Sequence, residues 1–347
     1  MTTDEKYMSR CLQLARNGMC NTPPNPMVGA IIVCNGEIIG EGYHVRCGEG
    51  HAEVNAIRSV KDEAKLKEAT IYVSLEPCSH YGKTPPCADL IISKGIPRVV
   101  VGCVDPFPMV SGRGIRKLRD AGVDVTVGVL EEQCRQLIKR FVVFNTQCRP
   151  YITLKWAQSA DGFMDVNRTS GKPEMLSTLL TSQYVHKQRT EHQAILVGTR
   201  TAQLDNPSLT VRNWCGENPL RLAIDKNLML ARSLTLFDGK TPTWIFTGKS
   251  SVPADSPNLC YKQLDFDSDI LLQITRALYE QKIQSLLVEG GSTLLRSFIA
   301  SGLWDEIYVE HAAKILGSGV EAPVVSAGVA SETIFRCGVS VSHYWKS

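Results

Sequence analysis

The apolar positions of this chain switch between a helical and a strand period. Over residues 4–17 (DEKYMSRCLQLARN), Tyr7, Met8, Cys11, Leu12, Leu14 and Ala15 fall on one stripe that Gly18 ends, which predicts an amphipathic helix. AIIVC and EIIGEGY read as short strands joined at Asn35-Gly36, a pair suited to a two-residue hairpin turn. HAEVNAIRSV (51–60) then reads as helix, ATIYVSLEP (69–77) as buried strand and CADLIISKG (87–95) as a helix stopped by glycine. RVVVGCVD (98–105) is a further strand, and GIRKLRDAGVDVTVGVL gives helix, turn and strand. Strands alternating with helices predict a three-layer α/β domain with mostly covered faces.

A second alternation begins at PYITLKWAQSADG (150–162). TSQYVHKQRTEH reads as helix, and AILVG, LRLAID and TWIFTG as strands. ILLQITRALYEQKI (helix), SLLVEGG (strand into glycines), STLLRSFIASGL (helix) and DEIYVEHAAKIL (strand) follow. A helix ending FVVFNTQCR meets a proline near Thr146–Pro150, which predicts domains at 1–147 and 148–347. The length of 347 residues suits two domains. Residues 318–347 carry no legible motif, and no internal repeat is visible.

Charge narrows the partners. With 38 Lys and Arg against 35 Asp and Glu, the net charge of +3 is too small for a nucleic-acid surface. KDEAKLKE (61–68) mixes both signs at helical spacing and reads as a solvated helix face. No apolar run reaches the roughly 18–20 residues of a membrane span. The start, MTTDEKYMSR, lacks the layout of a signal peptide. A cytoplasmic location is expected, with the 12 cysteines mostly thiols. Cys11, Cys34, Cys103, Cys134 and Cys337 lie in apolar or helical stretches and read as small buried hydrophobes.

Cys78 and Cys87 keep different company. His51-Ala52-Glu53 opens a helix, Cys78 directly follows Pro77, and Cys87 opens another helix. A catalytic zinc takes three protein ligands and leaves one position for water. Helix N-termini favour thiolates, and bound zinc lowers the water's pKa to about 7. Glu53, two residues from the histidine, is placed to shuttle protons. His-x-Glu … Pro-Cys … Cys is the arrangement of zinc nucleoside and nucleobase deaminases. A structural zinc site remains the alternative, although such sites prefer four ligands and a second short pair. One feature departs from the common pattern: eight residues, not two, separate the cysteines.

PNPMVG, HAEVNAI, EPCSHYGKTPPC and VDPFPMVSGRGI together resemble the deaminase domain of the bifunctional riboflavin-biosynthesis deaminase/reductase family. That resemblance implies a cytidine-deaminase-like α/β/α domain binding Zn2+ through His51, Cys78 and Cys87, with Glu53 catalytic. It also implies that the long cysteine loop lines the substrate pocket. Asn25, His44, His80 and Lys83 would touch the pyrimidine or its ribose phosphate. Lys83 and Thr84 are also phosphate contacts on chemical grounds, against solvent-exposed loop as the alternative. Asn25, between prolines, suits either a pocket hydrogen bond or a turn; His80 has the alternative of a fourth metal ligand. Asp105 is a candidate for the pocket rim, while Phe107 stands where the family commonly carries Asn.

The C-terminal half shows no Gly-x-Gly-x-x-Gly. A strand running into Glu289-Gly290-Gly291-Ser292-Thr293 and a helix could receive a phosphate on free N–H groups; a plain strand-to-helix turn fits equally. TLKWAQSADG, VGTRTAQLDNPSLTVR and LLVEGGSTLL resemble the reductase domain of the same family, which implies a dihydrofolate-reductase-like α/β domain using NADPH. The implied nucleotide-binding positions are Ala157, Thr201, Asp205, Gly291, Ser292, Thr293, Leu294, Leu295, Arg296 and Ser297. The implied substrate positions are Arg189, Leu209, Arg212 and Glu289. Both arginines suit phosphate, Arg189 having a solvated helix face as its alternative. Asp205 could simply turn the chain, and Glu289 could cap. Family members often carry Trp-Ile-Thr where this chain reads MLSTLLTS, so contacts around Met175 and Ser177 transfer least.

The expected function is therefore two consecutive steps of riboflavin synthesis. The deaminase would remove the 2-amino group of a diaminopyrimidine ribosyl phosphate, and the reductase would convert ribosyl to ribityl. A homo-oligomer (dimer or tetramer) is expected, with no nucleic-acid or membrane partner. The rivals are a deaminase of other nucleotides or of tRNA, and a non-catalytic zinc-stabilised binding protein.

Overall fold

The computed structural model describes residues 1–81, 85–107 and 111–346, and the chain divides into two compact units, Met1–Cys148 and Arg149–Ser347.

In the first unit, α1 (Thr3–Ala15) starts on a capping box: Thr2 Oγ1 accepts from the Glu5 N–H, and the Glu5 carboxylate accepts from the Thr2 N–H. β1 (Gly29–Cys34) and β2 (Glu37–Tyr43) form the expected hairpin, with Asn35 and Gly36 both at positive φ. Then follow α2 (Ala52–Ser59), β3 (Thr70–Leu75), α3 (Cys87–Ser93), β4 (Arg98–Cys103), α4 (Arg113–Asp120), β5 (Asp124–Val127), α5 (Glu131–Leu137) and α6 (Lys139–Gln147). The sheet runs β2-β1-β3-β4-β5, with the β3-β4-β5 pairs parallel.

Strand alternation sorts the core into two faces. Ile32, Ile71 and Val99 pack with Ala56, Ile91 and Leu118 of α2, α3 and α4. Ile31, Tyr72 and Val100 pack with Met8, Cys11 and Cys134 of α1 and α5. These are the three expected layers. KDEAKLKE is not a fully solvated face: a short 3-10 turn spans Glu63–Glu68 and buries Leu66 completely. Cys11, Cys34, Cys103 and Cys134 are buried as expected, but Cys337 is exposed. It occupies a turn at φ 51°, outside any apolar packing.

The second unit comprises β6 (Tyr151–Gln158), β7 (Phe163–Asp165), α7 (Leu179–Thr190), β8 (Ala194–Val197), α8 (Thr199–Asp205), β9 (Leu220–Ile224), β10 (Thr243–Thr247), β11 (Leu259–Gln263) and α9 (Ile270–Glu280). It continues with β12 (Ser285–Gly290), α10 (Ser292–Ser301), β13 (Glu306–His311), β14 (Val320–Glu321), β15 (Ala330–Arg336) and β16 (Val339–Trp345). Among the described residues the main sheet is ordered β11-β10-β9-β8-β12-β6-β13-β16-β15. It is parallel up to β13 and antiparallel through the last two pairs.

Leu154, Trp156 and Val288 pack with Leu278, Leu295 and Phe298 of α9 and α10. On the opposite face Ile195, Ala223 and Leu287 pack with Ala202 and Leu209. The motif-free tail forms the β15–β16 hairpin at the sheet edge. Much of β15 is exposed and polar, so its sequence carries no clear apolar period.

Candidate active sites

In the first unit, the closeness of α2 to β2 sets the position of His51. A Cβ on Gly42 would stand 2.3 Å from the Ala56 nitrogen and 2.6 Å from the Ala52 oxygen, so only glycine lets the helix backbone lie this near. His51 is the N-cap of α2, and Cys87 is the first residue of α3. Cys78 follows β3, and its carbonyl accepts from the Ala88 N–H.

His51 Nδ1 lies 3.5 Å from Cys78 Sγ and 3.4 Å from Cys87 Sγ, with all three ligand atoms within 4.8 Å of one another. A tetrahedral zinc with bonds of about 2.3 Å to sulfur and 2.0–2.1 Å to nitrogen would hold a sulfur and a nitrogen about 3.6 Å apart. The donor set therefore fits zinc by atom type and by spacing. The Cys87 thiol, and then His51, hold Cys78 down to about 4, while hydrogen bonding to Cys78 and burial push Cys87 up. Glu53 is 3% exposed, and burial pushes its carboxyl up to about 7.

His44 is buried edge-on to His51, their ring centroids 5.4 Å apart. Its Nδ1 lies 3.2 Å from the Gly50 carbonyl, which only accepts, so Nδ1 carries the proton and Nε2 accepts from the Asn25 amide at 3.1 Å. Burial lowers the His44 pKa, in keeping with this neutral form. The structure thus joins Asn25, His44 and His51. Burial raises the Asp105 carboxyl, and His80, which is exposed, acts on its charge. Lys83 and Thr84 lie outside the described residues.

Glu76 escaped the sequence reading. Its buried carboxylate accepts from the N–H groups of Asp105 (3.2 Å), Gly112 (2.9 Å), Gly114 (2.8 Å) and Ile115 (3.2 Å). It thereby ties the start of α4 and the Asp105 backbone to the end of β3. A glutamate ending a buried strand was the available signal.

In the second unit, a cavity of about 550 Å3 opens where β12 gives way to α10. Its walls include Thr201, Asp205, Glu289, Gly291, Ser292, Thr293, Leu294 and Ser297 from the expected set. Ala157, Arg189, Leu209, Arg212, Leu295 and Arg296 are not wall residues. Leu209 and Leu295 are core residues, and Arg296 bonds the carbonyls of Glu321 and Ala322. Gly291, at φ 77°, precedes α10 and leaves that helix's first N–H groups open to the cavity. A cavity of this size with an exposed helix N-terminus and glycine turn fits the pyrophosphate of a dinucleotide.

Arg189 is not on a solvated face. It forms a two-point ion pair with Glu289 and donates to the Thr210 carbonyl at 3.1 Å. Arg212 donates to Thr210 Oγ1 at 3.2 Å. Arg168, missed in the sequence, pairs with both Asp165 and Asp205. Lys155 was missed too. It lies on β6, its side chain 13% exposed, near Glu289 and Glu310, and desolvation lowers its pKa. A lysine within the strand YITLKWAQ, covered on both faces, was the overlooked signal.

The cytidine and deoxycytidylate deaminase zinc-binding region matches residues 1–103, and the RibD C-terminal domain matches residues 150–339. The riboflavin biosynthesis protein RibD of Aquifex aeolicus is 42% identical over 320 residues, which cover 91% of this chain and 89% of that protein. The chain belongs to the RibD family. The Escherichia coli RibD is 38% identical over 332 residues, 91% of this chain and 89% of its own. The crystal structure of a Thermotoga maritima diaminohydroxyphosphoribosylaminopyrimidine deaminase/5-amino-6-(5-phosphoribosylamino)uracil reductase has a TM-score of 0.89. Identity is 35%, with 99% of both chains covered.

The protein is thus a bifunctional enzyme of riboflavin biosynthesis, with zinc and NADPH as cofactors. Its fold is a cytidine-deaminase-like domain followed by a dihydrofolate-reductase-like RibD domain. Among the described residues, no helix is long and apolar enough to cross a membrane. In the segment MLSTLLTS, Met175 is 71% exposed and the Ser177 hydroxyl donates to Glu310 at 3.0 Å.

Proposed function

We propose that residues 1–147 deaminate a diaminopyrimidine ribosyl phosphate and that residues 148–347 reduce the ribosyl side chain of the deaminated product. One observation carries the first half: three zinc-type ligand atoms within 4.8 Å of one another, with a buried glutamate two residues from the histidine. His51, Cys78 and Cys87 would hold the zinc. When bound, zinc supplies a water activated near neutral pH. Glu53 moves a proton from that water toward the departing amino group. Asn25 and the neutral His44 orient the pyrimidine, and His80 and Asp105 form the rim. Lys83 and Thr84 take the phosphate.

In the reductase, NADPH supplies a hydride when bound. The free backbone N–H groups of 291–294 would receive its phosphates, with Leu295, Arg296 and Ser297 further along the same helix and Ala157, Thr201 and Asp205 alongside. Reduction breaks the C1′–O4′ bond of the ribosyl ring: C1′ gains the hydride, and the ring oxygen gains a proton. Lys155, largely buried near Glu289, holds that proton. Glu289 is oriented by Arg189 toward the sugar hydroxyls, with Leu209 beneath. Arg212, freer than Arg189, meets the substrate phosphate.

The enzyme works in the cytoplasm as a homo-oligomer. The open edge strand β15, with Phe335 82% exposed, supports self-association. The test supplies purified protein with 2,5-diamino-6-(5-phosphoribosylamino)pyrimidin-4-one. Ammonia release should precede NADPH oxidation and match it one to one. NADPH oxidation without ammonia release would refute the order of steps, and sedimentation as a monomer would refute the assembly.

A further inference from the structure

Glu310 is a buried carboxylate to which the reading above gives no task. It is 4% exposed and lies on β13, two positions beyond Tyr308, the residue paired with Lys155 in the β6–β13 ladder. Since side chains two apart share a sheet face, Glu310 and Lys155 project to the same side. Glu310 Oε1 accepts from the Thr181 hydroxyl at 2.7 Å, and Oε2 accepts from the Ser177 hydroxyl at 3.0 Å. Lys155 Nζ stands 3.8 Å from that same Oε2.

The charge balance gives this carboxylate a specific use. A buried lysine is pushed toward its neutral amine, which cannot donate the proton that the ring oxygen needs. Glu289 is the nearer carboxylate to the cavity, but Arg189 already pairs with it at two points, 2.6 Å and 3.0 Å. The hydrogen-bond donors to Glu310 are neutral hydroxyls, so they fix its oxygens without spending its charge. Its charge is left to Lys155. The charged groups facing Lys155 are Glu289 from β12, Glu310 from β13 and Arg189 from α7, with His186 and Arg212 next to Glu289.

We propose that Glu310 is a positioning residue of the reductase: braced by Ser177 and Thr181, its carboxylate holds the Lys155 ammonium charged and in place near Glu289, which lines the cavity. This rests on Lys155 as the proton holder. It also gives Ser177 a positioning role, exerted through Glu310.

The donor acts when protonated, so activity falls as pH rises through the Lys155 pKa. Removing the negative charge lowers that pKa, and the fall then begins at lower pH. In E310Q, assayed with the deaminated substrate and NADPH, the basic limb of the reductase kcat profile should move down by about one pH unit. On that limb kcat should drop about tenfold, with KM and the NADPH Kd within about twofold of the parent. S177A should move the limb the same way by less, and it decides the question if E310Q does not fold.

An unmoved limb overturns the proposal, even if kcat falls, because a merely structural role predicts that result. K155M separates the two readings. If K155M keeps its reductase kcat, the proton role of Lys155 fails and takes the proposal with it. If K155M loses kcat while E310Q keeps the parent profile, only the role of Glu310 fails.

Discussion

Arg189 near the end of α7 and Glu289 in β12 meet as a two-point ion pair, Nη2 to Oε2 at 2.6 Å and Nε to Oε1 at 3.0 Å, although a hundred residues separate them. Their side chains are 11% and 10% exposed. Pairing of this kind stabilises mainly by avoiding a lone buried charge. R189A should therefore cost the Arg149–Ser347 unit about 3–5 kcal/mol. R189A/E289L, which removes both charges, should cost less. Urea unfolding of both variants checks the order.

The same pair predicts an acid limb in stability. Burial opposes ionisation of Glu289, but Arg189, and then Lys155 and His186, hold its pKa below the ordinary 4.5. A depressed folded value means that the unfolded chain binds more protons in acid. The contribution is complete above about pH 4.5 and is lost as pH falls through the folded value. The difference in urea midpoint between the parent and E289Q should shrink steadily below pH 4.5. A constant difference down to pH 3 would contradict the ion-pair assignment.

The metal ligands predict separable losses. C87S and H51A should each reduce bound zinc from about one per chain toward zero, measured by elemental analysis. Deamination should vanish with it, while NADPH oxidation on the deaminated substrate persists. Loss of both activities together would argue against two independent sites.

Glu53 has a different signature. E53Q should keep its zinc and lose ammonia release by about 10²- to 10⁴-fold, the usual worth of a general acid–base group. Its reductase kcat should be unchanged. Ammonia release at the parent rate would remove Glu53 from the mechanism.

Gly42 is a packing prediction with a chemical readout. In G42A the new methyl would press on the α2 backbone at 2.3 Å from the Ala56 nitrogen. Overpacking of this kind costs about 1–3 kcal/mol. The displaced α2 should carry His51 away from the cysteines, so zinc affinity should fall along with the melting temperature of the first unit.

Much of the deaminase site was legible before any coordinates. His51 and Glu53 are two residues apart, Cys87 opens a helix, and Cys78 follows a proline at a strand's end, so their chemistry is written in short-range spacing. Glu76 was not legible, because its four N–H partners lie 29 to 39 residues downstream. The hairpin turn at Asn35-Gly36 was legible because a positive φ is a local demand. The β15–β16 hairpin was missed because β15 is largely exposed and polar, although β16 (VSVSHYW) begins with a strand-like alternation.

The reductase divides differently. By itself the sequence determined the glycine turn before α10 and the parallel αβ alternation, since backbone freedom and hydrophobic period are properties of neighbouring residues. Only the tertiary structure decided that Lys155, Arg189, Glu289 and Glu310 share one largely buried cluster. They come from β6, α7, β12 and β13, and strands distant in the chain become neighbours only when the sheet orders them β12-β6-β13. Burial then makes each charge depend on the others, and no spacing along the chain encodes that dependence.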